Sequence, residues 1–270
     1  MITSKTNATI KYISNLKLKK YRSRENKFLV EGIKMVREII NSEGIAPEFI
    51  IYSKEILEAT NIGKTFLKEI NTESFLEVSR QVFEYLSDTD SPQGIMAVLD
   101  IKQNEINYLE KKIIKNKDKY ILLDRLQDPG NVGTIIRTAL SFGINNIIII
   151  EGTADVFSPK IVRSTMGGIY KAEIYTIKEN ELNRFINIIK ASEYILIGTS
   201  LKAKKNIHEE KYTGKEIFVI GNEANGISIE LETACNKLVK IPMEETIESL
   251  NASVAASICM YEMYKNMTGG

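Results

Sequence analysis

Three groups of side chains stand out for what they could do together. Asn131 and Arg137 lie in DRLQDPGNVGTIIRTALSFG (Asp124 to Gly143). Glu223 follows Gly221 and Asn222 in VIGNEANGIS (Val219 to Ser228), and Ser249 with Asn251 falls in IPMEETIESLNASVAASICMYE (Ile241 to Glu262). Asn131 stands where a helix begins, so it can cap that helix. Arg137 comes about one and two-thirds turns later. Its neighbours Ile135, Ile136, Ala139 and Leu140 are core-like, so its guanidinium must reach the surface or find an anion. Taken singly, such residues are commonly caps or turns. All three stretches, however, join an apolar strand-like run to a helix-like run, and α/β proteins place ligands in loops at the ends of buried strands. Their joint placement favours a functional reading.

Other chemistries lack their residues. There is no G-x-x-x-x-G-K-[ST] phosphate loop and no G-x-G-x-x-G fingerprint after a strand, and Gly130 with Gly133 is too sparse for a pyrophosphate. This argues against a nucleoside triphosphatase or an NAD-dependent dehydrogenase. His208 is the single histidine and sits in a lysine-rich loop, and no serine nucleophile elbow is present. Cys235 and Cys259 have no metal-like spacing, so neither a metal site nor a disulfide framework is expected.

The elements that must position these residues come in two blocks. The first, residues 1–100, alternates short strands and helices and reads as a small α/β unit ending near Asp100. Residues 101–118 turn polar and lysine-rich and read as a linker, with a short helix between Asn107 and Ile114. Residues 119–270 alternate apolar strands with helices. Their near-continuous apolar strands argue for a mostly parallel sheet covered by helices on both faces. The fold class is therefore α/β in both parts.

The net charge of +1 hides an uneven distribution. From Met1 to Arg37 the bases Lys5, Lys11, Lys17, Lys19, Lys20, Arg22, Arg24, Lys27, Lys34 and Arg37 face only Glu25 and Glu31. Clustered cations gain from releasing the counterions condensed on phosphates, so this arm has the footprint of a polyanion contact; a solvated helix face is the competing reading. No apolar run approaches the roughly 18 residues of a membrane span. No signal peptide is evident at the start, and a cytoplasmic location without membrane attachment is expected.

On these residues the chain resembles the SpoU (TrmH-like) RNA 2'-O-ribose methyltransferases of the SPOUT class. N-x-G-x-I-x-R-T-A-x-x-F-G runs from Asn131 to Gly143, G-N-E-x-x-G-I-S from Gly221 to Ser228, and I-P-M with S-L-N-x-S-V-A from Ile241 to Ala255. FLVEGIKMVREI (Phe28 to Ile39) and SDTDSPQGIMAV (Ser87 to Val98) resemble the family's substrate-binding domain, an L30e/L7Ae-like RNA-binding fold. The resemblance implies a C-terminal domain tied in a trefoil knot, S-adenosylmethionine bound within it, and a homodimer with the site at the subunit interface. It implies that Gly221, Ile241 and Leu250 lend backbone groups to the cofactor, with Thr199 and Met243 close by. Asn131, Arg137, Glu223, Ser249 and Asn251 would form the catalytic set, and Lys17, Lys19, Lys20 and Arg22 would meet RNA. One departure is Glu245, where many members have glycine. The implied reaction is methyl transfer from S-adenosylmethionine to a ribose 2'-hydroxyl of RNA, 23S ribosomal RNA first. A transfer RNA methyltransferase and a non-catalytic RNA-binding or ribosome-assembly protein are the alternatives.

Overall fold

The structure, a computed structural model, describes residues 1–115, 118–244, 246 and 249–268. The chain divides into two units, one made of 1–101 with 157–167, the other of 102–156 with 168–270. Glu245 lies outside the described residues.

The first unit is built on a sheet of β1 (Lys27–Glu31), β2 (Phe49–Tyr52), β3 (Leu76–Glu77) and β4 (Ile95–Asp100), in the order β1-β4-β2-β3. β4 runs antiparallel to both β1 and β2, while β2 and β3 are parallel. Around it stand α1 (Ala8–Asn15), α2 (Lys19–Glu25), α3 (Ile33–Ile40), α4 (Lys54–Glu58), α5 (Asn61–Glu69) and α6 (Arg80–Leu86). Strand side chains alternate between faces. Leu29, Ile51, Met96 and Val98 accordingly pack with Ile10 and Ile13 of α1 and Val82, Phe83 and Leu86 of α6. Phe28, Val30, Ala97 and Leu99, of the opposite parity, are buried as well. That double burial explains the unbroken apolar run of GIMAVL. The helix Pro159–Ser164 packs on β1, and Phe157 meets Phe28 with ring centroids 5.0 Å apart.

In the second unit β5 (Gln103–Asn104), β6 (Tyr120–Leu123), β7 (Asn146–Ile150), β8 (Glu173–Ile177), β9 (Ile195–Thr199), β10 (Lys205–Asn206), β11 (Glu216–Ile220) and β12 (Lys237–Lys240) form one sheet. Its order is β10-β12-β9-β11-β6-β7-β8-β5, and every pairing is parallel. The chain steps outward from β6 through β7 to β8, then crosses to β9 on the other side. The switch point therefore lies between β6 and β11, at whose carboxyl ends open α/β sheets form their crevice. The helices, in chain order after α6, are α7 (Ile106–Lys115), α8 (Pro129–Ser141), α9 (Pro159–Ser164, counted in the first unit), α10 (Leu182–Lys190), α11 (Ile229–Ala234) and α12 (Ala252–Thr268).

The lysine-rich stretch read as a linker carries β5 and α7. Ile106, Leu109 and Ile113 of α7 recur on one helical face and join the sheet's core with Tyr120, Ile148 and Tyr175. Lys112, on the same helix, donates from Nζ to Asn146 Oδ1 at 2.9 Å and to Glu173 Oε2 at 2.7 Å. No helix among the described residues is long and apolar enough to cross a membrane.

Candidate active site at the carboxyl edge of the parallel sheet

β6 and β11 are adjacent and parallel, so the segments that leave them, Asp124 onward and Gly221 onward, emerge side by side. α8 starts from the first of these. Asp128 is its N-cap: Asp128 Oδ1 accepts the Asn131 N–H at 2.7 Å, and Pro129 stands in the first turn. This corrects the expectation that Asn131 caps the helix. An acidic residue immediately before proline was the available signal. The correction matters because it leaves the Asn131 amide free for other partners.

Those partners are the other two motifs. Asn131 Nδ2 donates to Glu223 Oε1 at 3.1 Å, and Asn131 Oδ1 accepts from Asn251 Nδ2 at 2.9 Å. Asn131 is buried, with 8% of its surface exposed. Glu223 also accepts the N–H groups of Gln127 and Asp128, each at 3.1 Å. Burial pushes the Glu223 carboxyl up, but the hydrogen bonds from Asn131 and from backbone N–H groups outweigh it, so its pKa is held below the ordinary carboxylate value. Asn251 Oδ1 accepts Ser253 N–H at 2.9 Å and Ser253 Oγ–H at 2.6 Å, which caps α12. One amide thus ties α8, the loop after β11 and the start of α12 together.

Gly221 opens that loop, and a Cβ there would stand 2.3 Å from Gly226 C, 2.4 Å from Ile227 N and 2.6 Å from Gly226 O. Only glycine fits against that backbone. Asn222 and Gly226 close the turn by exchanging two backbone hydrogen bonds of 2.9 Å.

Arg137 is placed differently. Six residues along an α-helix bring it about 120° round from Asn131. It is exposed, and among the described residues its guanidinium has no ion pair or hydrogen bond. Ser249 is exposed beside half-buried Leu250. Thr199 closes β9 against Val239, and Ile241 follows β12, so both lie on the same sheet edge as Gly221. Met243, like Ile241, is half-buried.

Of the cationic candidates in the first unit, Arg22 is 4% exposed and donates to the carbonyls of Leu16 and Lys17 at 2.8 and 2.6 Å. Lys17 Nζ donates to the carbonyls of Tyr85 and Ser87, both at 2.7 Å. Lys19 and Lys20 are exposed. Sequence reasoning did not single out Asp124, Asp128 or Asn222, each of which bonds the loops that carry the candidates.

The edge offers features that suit a small ligand with polar and apolar parts. Ser228 Oγ is buried without a hydrogen-bond partner, a polar atom that a ligand or a water would satisfy. Half-buried Ile241, Met243 and Leu250 supply apolar surface. Among the described residues there is no group of three or more His, Cys, Asp or Glu arranged to hold a metal.

Comparisons with known proteins agree with this geometry. Residues 118–261 match the model of the SpoU rRNA Methylase family, and residues 7–97 match an MRM3-like substrate binding domain. The chain is 30% identical over 262 residues to the 23S rRNA (guanosine(2553)-2'-O)-methyltransferase RlmP of Bacillus subtilis, covering 97% of this chain and 98% of that protein. It is 26% identical to a 23S rRNA (uridine(2479)-2'-O)-methyltransferase of Streptomyces viridochromogenes, covering 92% and 86%. Among solved structures, the AdoMet-bound rRNA methyltransferase from Sinorhizobium meliloti superposes with a TM-score of 0.82 at 28% identity, covering 98% of this chain and 97% of that one.

Proposed function

The chain belongs to the SpoU rRNA methylase family, and from that footing we propose that it transfers a methyl group from S-adenosylmethionine to a ribose 2'-hydroxyl of 23S ribosomal RNA. The observation that carries the reading is the hydrogen-bonded set of Asn131, Glu223 and Asn251, drawn from three distant segments to the switch point of the sheet. The 23S rRNA relatives match over nearly the whole chain, which favours ribosomal over transfer RNA as substrate.

S-adenosylmethionine supplies a methyl carbon already activated by a sulfonium leaving group, so the chain's own residues need only bind, orient and handle a proton. Thr199, Gly221, Ile241, Met243 and Leu250 would hold it. Arg137 would clamp the phosphate beside the target ribose and stabilise the alkoxide that develops as the 2'-hydroxyl gives its proton to solvent water and the thioether leaves. A guanidinium stays protonated, which suits a clamp and not a base. Glu223 holds Asn131 in place and Asn131 holds Asn251; holding a nucleotide in line supplies much of the acceleration, since effective molarities reach on the order of 10⁵ M or more. Ser249, exposed two residues before Asn251, would meet the nucleotide.

The active form is a homodimer in this reading. What supports it is the position of Arg137, exposed and turned away from the Asn131 set of its own chain. Of the four candidate cations, exposed Lys19 and Lys20 are the ones that engage RNA phosphates, whereas Arg22 holds the arm's own turn and Lys17 is held by the carbonyls of Tyr85 and Ser87. In this reading the protein works in the cytoplasm, which the absence of a membrane-length apolar helix among the described residues is compatible with. Isothermal titration with S-adenosylmethionine, followed by transfer of a labelled methyl group to protein-free 23S rRNA, tests the activity. Saturable binding with label in rRNA is expected; binding with no transfer to any RNA would leave an RNA-binding protein.

A further inference from the structure

Asp124 directly follows β6 with a carboxylate 1% exposed, and the reaction outlined above gives it no part. A buried charge is costly to keep unless it is fully engaged. Both of its oxygens are engaged, and both lead to the loop that carries Glu223. Oδ2 accepts the N–H of Ser228, the last residue of that loop, at 2.7 Å. Oδ1 accepts from an Arg125 terminal nitrogen at 2.7 Å.

Arg125 transmits the second contact. Its other terminal nitrogen meets both carboxylate oxygens of Glu179, at 2.8 and 2.7 Å. Its backbone is left-handed, with φ at 55°, a region that non-glycine residues enter only when held there. In that conformation the Arg125 carbonyl accepts from Asn222 Nδ2 at 2.8 Å and from Gln127 Nε2 at 3.0 Å. Gln127 and Asp128 are the residues whose N–H groups bond Glu223. The loop from Gly221 to Ser228 is thereby pinned to residues 124–128 at its start through Asn222, at its middle through Glu223 and at its end through Ser228.

From this circuit we infer that Asp124 is a positioning residue for methyl transfer, fixing the Gly221–Ser228 loop, and with it Glu223, against the end of β6. The inference rests on the methyl-transfer reading. A carboxylate suits the task because it can accept from a backbone N–H and a guanidinium at once. Asparagine would keep an acceptor for Ser228 but lose the charge that anchors Arg125. Alanine would lose both.

The test uses the full-length chain and the variants Asp124→Ala, Asp124→Asn and Arg125→Ala. It is run at a temperature where circular dichroism shows each variant folded. S-adenosylmethionine affinity is read by titration and methyl transfer by single turnover on 23S rRNA. Removing a charge-assisted hydrogen bond typically changes binding by about tenfold. Asp124→Ala is therefore expected to weaken cofactor binding about tenfold and to slow transfer by more. Asp124→Asn and Arg125→Ala should bind cofactor within about threefold of the parent yet transfer about tenfold more slowly, a split that general loss of stability does not produce. Parental transfer rates in the folded variants would overturn the inference. If Asp124→Ala does not fold, the other two decide alone: parental turnover in both rejects the role of Asp124. A parent that methylates no rRNA would instead reject the methyl-transfer reading itself, which is a different result.

Discussion

Arg137 and Glu223 make opposite demands on their surroundings, and each yields a measurable consequence. A bidentate guanidinium clamp on a phosphate cannot be replaced by an ammonium, which is a point charge on a flexible stem. Arg137→Lys should therefore lose about 100-fold or more in single-turnover rate while keeping cofactor affinity, the loss expected of transition-state contacts; near-parental turnover would reject the clamp. Glu223 titrates below the ordinary carboxylate value because the hydrogen bonds it accepts outweigh its burial. A depressed folded pKa adds stability that is complete above the unfolded value, about 4.3, and disappears as pH falls through the lower folded one. The stability gap between the parent and Glu223→Gln should be constant from pH 6 to 8 and shrink below about pH 4.5, as read by urea melts. Lys19→Ala with Lys20→Ala should weaken RNA binding, leave cofactor affinity alone and reduce the salt slope by roughly 0.7–0.9 per lost phosphate contact. At this scale the sequence was informative about residue type and poor about geometry. Asn131, Glu223 and Asn251 were legible because all three fall where an apolar strand-like run gives way to a helix-like run, although each alone reads as a cap or a turn. Arg22 was not: its charge reads the same whether it faces solvent or, as here, two backbone carbonyls.

Elements carry the site through close backbone approach and through anchors far from it. Gly221→Ala would drive a Cβ into the backbone of Gly226 and Ile227, atoms that cannot swing aside. The substitution should cost about 1–3 kcal/mol of stability and abolish cofactor binding, since overpacking against fixed atoms forces the loop open. At the opposite edge of the sheet, burial pulls the Lys112 ammonium down, but the carboxylates of Glu173 and Asp118 outweigh it and hold its pKa above normal. Its contribution is therefore present throughout neutral pH and is lost only as pH rises through that raised value. Lys112→Met should destabilise the second unit by about 1–3 kcal/mol, the cost of leaving hydrogen-bonded partners unsatisfied, as measured by denaturant unfolding. The strands and most helices were legible from apolar runs and their flanking turns. α4 was missed, being five residues long, and β5 and β10 were missed because two-residue strands have no periodicity. α7 was legible as a short helix between Asn107 and Ile114, but its lysines mask the apolar face that joins it to the core of the sheet.

At the level of the whole molecule, chain order and packing part company. The family model runs unbroken from 118 to 261, yet 157–167 belongs to the first compact unit. No local pattern reveals this, because the partner of α9 is β1, more than a hundred residues earlier. A fragment of residues 1–101 lacks α9 and the Phe157 ring that meets Phe28. It should bind hydrophobic dyes and melt with low cooperativity, and adding 157–167 through a linker should restore a sharp transition. The homodimer reading predicts a sedimentation mass of twice the 30.5 kDa chain, persisting on dilution to micromolar concentration.

Where the methyl group goes is the most direct test of the proposed reaction. Full-length protein is incubated with labelled S-adenosylmethionine and 23S rRNA, and the product is digested by alkali, which cannot cut after a 2'-O-methylated ribose. Label confined to one alkali-resistant dinucleotide, and absent with Arg137→Ala, is the predicted result. Label on a base, or label that survives the loss of Arg137 undiminished, would contradict it.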